Sequence, residues 1–112
     1  MRNKNKEAGV ERGSGNVYKD LGVGDSEGML VKAQLVRQIA EIVRERRLTQ
    51  AEAAKVLRLT QPRISRMLRG EFRGISERRL LRCLTRLGRD VQIVVKPAAA
   101  KRAEGRVTVH SG

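Results

Sequence analysis

The sequence predicts a mainly α-helical domain, a bundle of four to five helices followed by one β-strand. Three observations carry that expectation. Apolar residues recur at helical spacing through most of the span 35–87. The tripeptide Leu-Thr-Gln occurs twice, at 48–50 and 59–61, each time at the start of a helical pattern. Residues 90–96, DVQIVVK, then change register to a β-branched run closed by Pro97.

Taken in order, residues 1–15 (MRNKNKEAGVERGSG) are charged and aperiodic and read as a flexible arm. Gly22-Val23-Gly24 has neither a preceding apolar strand nor a following Lys-Ser/Thr pair, so it reads as a plain turn rather than a phosphate-binding loop. Asp25 or Ser26 then caps the longest helix, whose apolar residues Leu35, Ile39, Ile42 and Val43 lead to the basic run Arg44–Arg47. At the first Leu-Thr-Gln, Thr49 is an N-cap and Glu52, three residues later, completes a capping box for a helix through Ala51, Ala54 and Leu57. At the second, Thr60 caps a helix with Pro62 in its first turn, Ile64 and Leu68 on one side and Gly70 at its end. Ser76 caps a further helix carrying Leu80, Leu81, Leu84 and Leu87, ended by Gly88.

The strand is expected to consist of Val91, Ile93, Val94, Val95 and their neighbours. A single strand in a helical protein leaves two unpaired edges. Pairing with the same strand of a second chain satisfies one of them by two-fold symmetry, and pairing with Arg106-Val107-Thr108-Val109 is the alternative within the chain. The domain therefore spans 16–97, with 98–112 as a flexible tail. A core of about 80 residues buries modest apolar area, which independently favours a homodimer.

Lysine and arginine number 25 against 12 aspartates and glutamates, and the excess is concentrated. Residues 55–89 hold eleven basic side chains against Glu71 and Glu77 alone. A polyanion is the partner this block implies. No apolar run reaches the roughly 20 residues needed to cross a bilayer and no export signal is visible, so a soluble cytoplasmic protein is expected. Cys83 is the sole cysteine and lies in a helix's apolar register, where it reads as a buried structural thiol. His110, the sole histidine, lies in the tail. With no metal-ligand spacing and no nucleophile–base pairing, neither a cofactor, nor a metal, nor an enzyme activity is expected.

Two short helices joined at Arg58-Leu59, with small alanines at 51, 53 and 54, form a helix-turn-helix. Each glutamine follows its cap directly, so Gln50 and Gln61 emerge at helix N-termini, where free amides and the dipole favour an anion. Gln50 can hold a phosphate while Gln61 enters a groove. The second helix presents Gln61, Arg63, Arg66 and Arg69 opposite Ile64 and Leu68. Glutamine pairs bidentately with adenine and arginine with guanine, so this face suits base reading.

LTQAEAAKVLRLTQPRISRMLRG resembles the helix-turn-helix of the Cro and lambda-repressor type, the Xre family, over its two-helix core. The wider span from about Asn16 to Pro97, with MLVKAQL before the motif and LGRDVQIVVKP after it, is similar to small HigA-type antitoxins of bacterial toxin–antitoxin pairs. The resemblance implies a lambda-repressor-like bundle in which Gln50 binds phosphate and Gln61 and Arg66 read bases. Two positions depart from the family pattern. Arg58 stands where relatives usually carry glycine, so either the turn differs slightly or a left-handed conformation is tolerated on a non-glycine residue for a further phosphate contact. Pro62 stands where relatives often carry a polar base-contacting residue, a role that Arg63 can take up.

The function implied is a dimeric, sequence-specific repressor of its own operon, binding a palindromic operator in double-stranded DNA. Gln61, Arg63 and Arg66 are the expected base readers. Gln50, Arg58, Thr60, Arg69 and Arg73 are the expected phosphate contacts, with Arg44, Arg46 and Arg47 as weaker ones. A partner resembling RelE-type or HigB-like toxins follows from the resemblance alone. The alternatives are a phage-like or host regulator of the same family without a toxin, and a basic RNA- or ribosome-associated protein. Against the last, Tyr18 and Phe72 are the only aromatics and form no evident stacking platform.

Overall fold

A computed structural model describes residues 23–99 and 103–111, with side chains from residue 27 onward. Among the described residues four helices follow in order: α1 Val23–Glu45, α2 Gln50–Leu57, α3 Gln61–Leu68 and α4 Glu77–Arg86. Contacts divide the chain into Met1–Leu30 and Val31–Gly112. Of the first unit, residues 23–30 are described and form the opening turns of α1.

The first helix begins earlier than the sequence predicts. Val23 and Gly24 are already helical, so that stretch is not a turn, and Asp25 and Ser26 lie inside the helix rather than at its cap. Glycine only weakens a helix, by about 1 kcal/mol against alanine, and does not forbid one.

In the second unit, Val31, Leu35, Val36, Ile39, Ile42 and Val43 form the buried stripe of α1. They join Ala53 and Leu57 of α2, Leu59 of the following turn, Ile64 and Met67 of α3, Ile75, and Leu80, Cys83, Leu84 and Leu87 from the α4 region in one core. The short helix α2 packs against both α3 and α4. Of the alanines expected to permit that approach, Ala53 is fully buried and Ala54 partly so, whereas Ala51 is exposed. Cys83 is fully buried, and burial pushes its thiol pKa up.

Each of the four described helices ends in the same way. Arg47 (φ 54°), Arg58 (φ 58°), Gly70 (φ 99°) and Gly88 (φ 85°) are left-handed. The amide after each reaches back five residues: Leu48 to the Val43 carbonyl at 3.0 Å, Leu59 to Ala54 at 3.1 Å, Glu71 to Arg66 at 2.9 Å and Arg89 to Leu84 at 3.0 Å. This is the Schellman arrangement, which satisfies carbonyls that the helix leaves open. Two of the four left-handed sites are arginines, and at Arg58 the left-handed conformation is the alternative present. Two further arginines fasten helix ends together, Arg86 Nη1 donating to the Leu57 carbonyl at 3.0 Å and Arg46 Nη1 to the Leu87 carbonyl at 3.2 Å.

Among the described residues there is no strand. Residues 91–98 carry no regular structure, and 106–109 do not pair with them, so the intrachain alternative is not formed. Ile93, Val94 and Val95 are 78%, 75% and 92% exposed. Farther on, Val109 packs against the core and Gln38 Nε2 donates to Ser111 Oγ at 2.5 Å, which sets the segment 109–111 against α1. The arm at 1–15 lies outside the described residues.

The two left-handed arginines generate a prediction. Arg47→Gly and Arg58→Gly should each stabilise the protein by about 0.5–1 kcal/mol, because the strain removed exceeds the backbone entropy glycine adds. Urea midpoints of the two variants would show it.

Candidate nucleic-acid interface

The site is built from three elements: the α2 N-terminus, the turn at residues 58–60, and α3. Thr49 caps α2 with extended backbone; its Oγ1 accepts from the Glu52 amide at 3.0 Å, and Glu52 Oε1 accepts from the Thr49 amide at 2.8 Å. The capping box is complete, so Gln50 is fixed as the first helical residue, with its side chain exposed. Thr60 repeats the device for α3, its Oγ1 accepting from the Arg63 amide at 3.3 Å. Gln61 and Pro62 open that helix, both exposed, and the missing proline donor costs nothing there.

Rotation of α3 about its axis is set by Ile64 and Met67, both fully buried, with Leu68 partly buried. Met67 is a core contact that the sequence reading left out, although it sits three residues after Ile64. With that side inward, Pro62, Arg66 and Arg69 share the solvent face at i, i+4 and i+7. Gln61 flanks this face and is exposed. Arg63 is half-buried and, with Arg66, Glu71, Gly74 and Ile75, lines a shallow hollow beside the helix. Arg63 is therefore less projected than the sequence predicts.

Arg58 and Arg73 are both exposed, the first in the left-handed turn and the second in the loop after α3. That loop is braced from α1, because Lys32 Nζ donates to the Arg73 carbonyl at 2.8 Å. Near it, Ser76 Oγ accepts from the Arg79 amide at 3.1 Å and starts α4. Glu77 follows; burial raises its carboxyl pKa, and the charge of Lys32 partly offsets the rise.

Two residues at the site were given no role there from the sequence. Ser65 Oγ accepts from Arg69 Nη1 at 3.3 Å, and Glu71 Oε2 lies 3.8 Å from Arg69 Nε. The first pair has the i, i+4 spacing of helix neighbours and was legible on that ground. The second depends on the turn at Gly70 and was not.

A capped helix pair with a three-residue link and a basic exposed second helix defines the class, and comparison with known proteins agrees. The model of the family described as a helix-turn-helix domain matches residues 17–96. A solved chain under the name XRE family transcriptional regulator has 32% sequence identity and a TM-score of 0.74, the match covering 79% of this chain and 99% of that one. The chain thus belongs to the XRE helix-turn-helix family. No curated protein matches it.

The raised Glu77 carboxyl gives a pH signature. The folded state binds that proton more tightly than the unfolded chain, so the penalty for ionisation is complete above the folded pKa and disappears below the unfolded one. Stability of the wild-type protein relative to Glu77→Gln should therefore rise as pH falls through and just above the ordinary carboxylate range, as urea titrations between about pH 4 and pH 7 would register.

Proposed function

We propose that this DNA-binding transcriptional regulator works as a homodimer on a palindromic operator, represses its own operon, and serves as the antitoxin of a toxin–antitoxin pair. One observation carries the DNA-binding geometry: α3 is a capped helix whose buried Ile64 and Met67 turn Arg66 and Arg69 outward, with Gln61 exposed at its tip. A helix presented this way fits the major groove N-terminus first.

In this reading Gln61 and Arg66 read base edges, with Arg63 contributing from the margin of the same surface. Gln50 and Thr60 offer hydrogen bonds to phosphate from helix starts, and Arg58 and Arg73 offer charge from the adjoining loops. Arg44, Arg46 and Arg47 are exposed at the end of α1 and just beyond it. Arg46 is already engaged with the Leu87 carbonyl, so it is the least available of the three.

The dimer is supported by the exposed β-branched residues Val91, Ile93, Val94 and Val95, which have no ladder partner within the described chain. An antiparallel ribbon with the same segment of a second chain would satisfy their backbone groups and cover their side chains. Two α3 helices would then address half-sites about 34 Å apart. The toxin partner, RelE- or HigB-like, rests on the likeness to HigA-type antitoxins.

Selection of duplexes from a random pool tests the reading, with an inverted repeat as the expected product and no enrichment as the result against it. On the selected site, Arg66→Ala should cost about 1–3 kcal/mol and relax one base position per half-site. Ile93→Lys with Val95→Lys should shift the protein to a monomer in light scattering and weaken operator binding, while the thermal melt of the helical body changes little. Co-purification with the product of an adjacent reading frame would test the toxin; a gene standing alone would count against it.

A further inference from the structure

Only Glu71 and Glu77 interrupt the basic block 55–89, and Glu71 sits beside the face that α3 presents. Its backbone is pinned by the left-handed Gly70 and by its own amide, which donates to the Arg66 carbonyl at 2.9 Å. From there its carboxylate faces Arg69 Nε at 3.8 Å, while Arg69 Nη1 donates to Ser65 Oγ at 3.3 Å. The guanidinium is thus restrained from two sides.

This pair does little for the fold. Both side chains are about 60% exposed, and exposed ion pairs contribute at most about 1 kcal/mol to stability. A carboxylate facing DNA also repels phosphate and lowers affinity for every duplex alike. Its influence on binding is therefore directional. Arginine carries five N–H donors; the hydrogen bond to Ser65 occupies one on Nη1, and the Glu71 carboxylate draws the Nε edge towards itself by charge alone. A donor remains on each terminal nitrogen, which is the pair that meets guanine O6 and N7. Phosphate contact needs no such fixed plane, whereas bidentate base reading does.

We propose that Glu71 is a specificity-determining residue: with Ser65 it orients Arg69 so that the guanidinium reads a guanine edge instead of serving as a free phosphate clamp. This rests on the DNA-binding reading above and reassigns Arg69, which sequence position alone gave to phosphate.

The test runs the random-pool selection, and duplex titrations at one salt concentration, on wild type, Glu71→Gln and Arg69→Ala. Glu71 is exposed, so the first variant should fold normally, and a thermal melt checks this. Glu71→Gln should bind random duplex more tightly, while its preference for cognate over random duplex falls about tenfold at a single base pair per half-site. Arg69→Ala should lose preference at that same base pair. The proposal is overturned if Glu71→Gln strengthens cognate and random duplex by one common factor with the base profile intact, or if Arg69→Ala weakens all duplexes equally. A wild-type protein that selects no sequence would instead remove the underlying reading, and this inference with it.

Discussion

The left-handed turn at Arg58 is the constraint on which the functional geometry depends. It stops α2 after Leu57 and folds Leu59 into the core, so that Thr60 stands in extended backbone, ready to cap α3. A non-glycine residue in that conformation costs about 1–2 kcal/mol. The cost is offset locally: the Leu59 amide bonds the Ala54 carbonyl, Arg86 donates to the Leu57 carbonyl, and Leu59 loses most of its contact with water. An arginine there, in place of glycine, also leaves a positive charge at the join of the two helices.

From that turn the constraint passes outward through packing. Three fully buried residues, Leu57, Ile64 and Met67, lock α2 and α3 to the rest of the core, and α2, against which α3 packs, is itself packed against α4. Close packing converts this rigidity into aim, since rotating α3 by one residue would drive arginine into the core. The same packing explains why Arg63 is drawn partly inward while Arg66 stays exposed. Restraint of Arg69 by Ser65 and Glu71 continues that logic at the level of one side chain.

The terminal segments follow a different rule. Residues 91–95 have the composition of a strand, yet β structure is a relation between strands, and no partner for them exists among the described residues. Val109 shows the opposite case, a residue of a polar tail that nonetheless packs against the core, with Ser111 bonded to Gln38 beside it. Composition registers polarity along a tail but not the presence of a surface that one apolar residue can reach.

By itself the sequence determined the local grammar: three N-caps at Thr49, Thr60 and Ser76, the capping box, and the basic character of the second motif helix. These rest on contacts within about four residues, so they are written in the order of the chain. The early start of α1 escaped because glycines were given more weight as breakers than a long helix allows. Only the tertiary structure decided that Met67 faces the core, that Arg63 is half-buried, that Ala53 and not Ala51 serves the close approach, and that Glu71 meets Arg69. Each of those outcomes depends on how helices are rotated and how a turn redirects the chain, and rotation is fixed by volume filled between distant segments, which no short window of residues records.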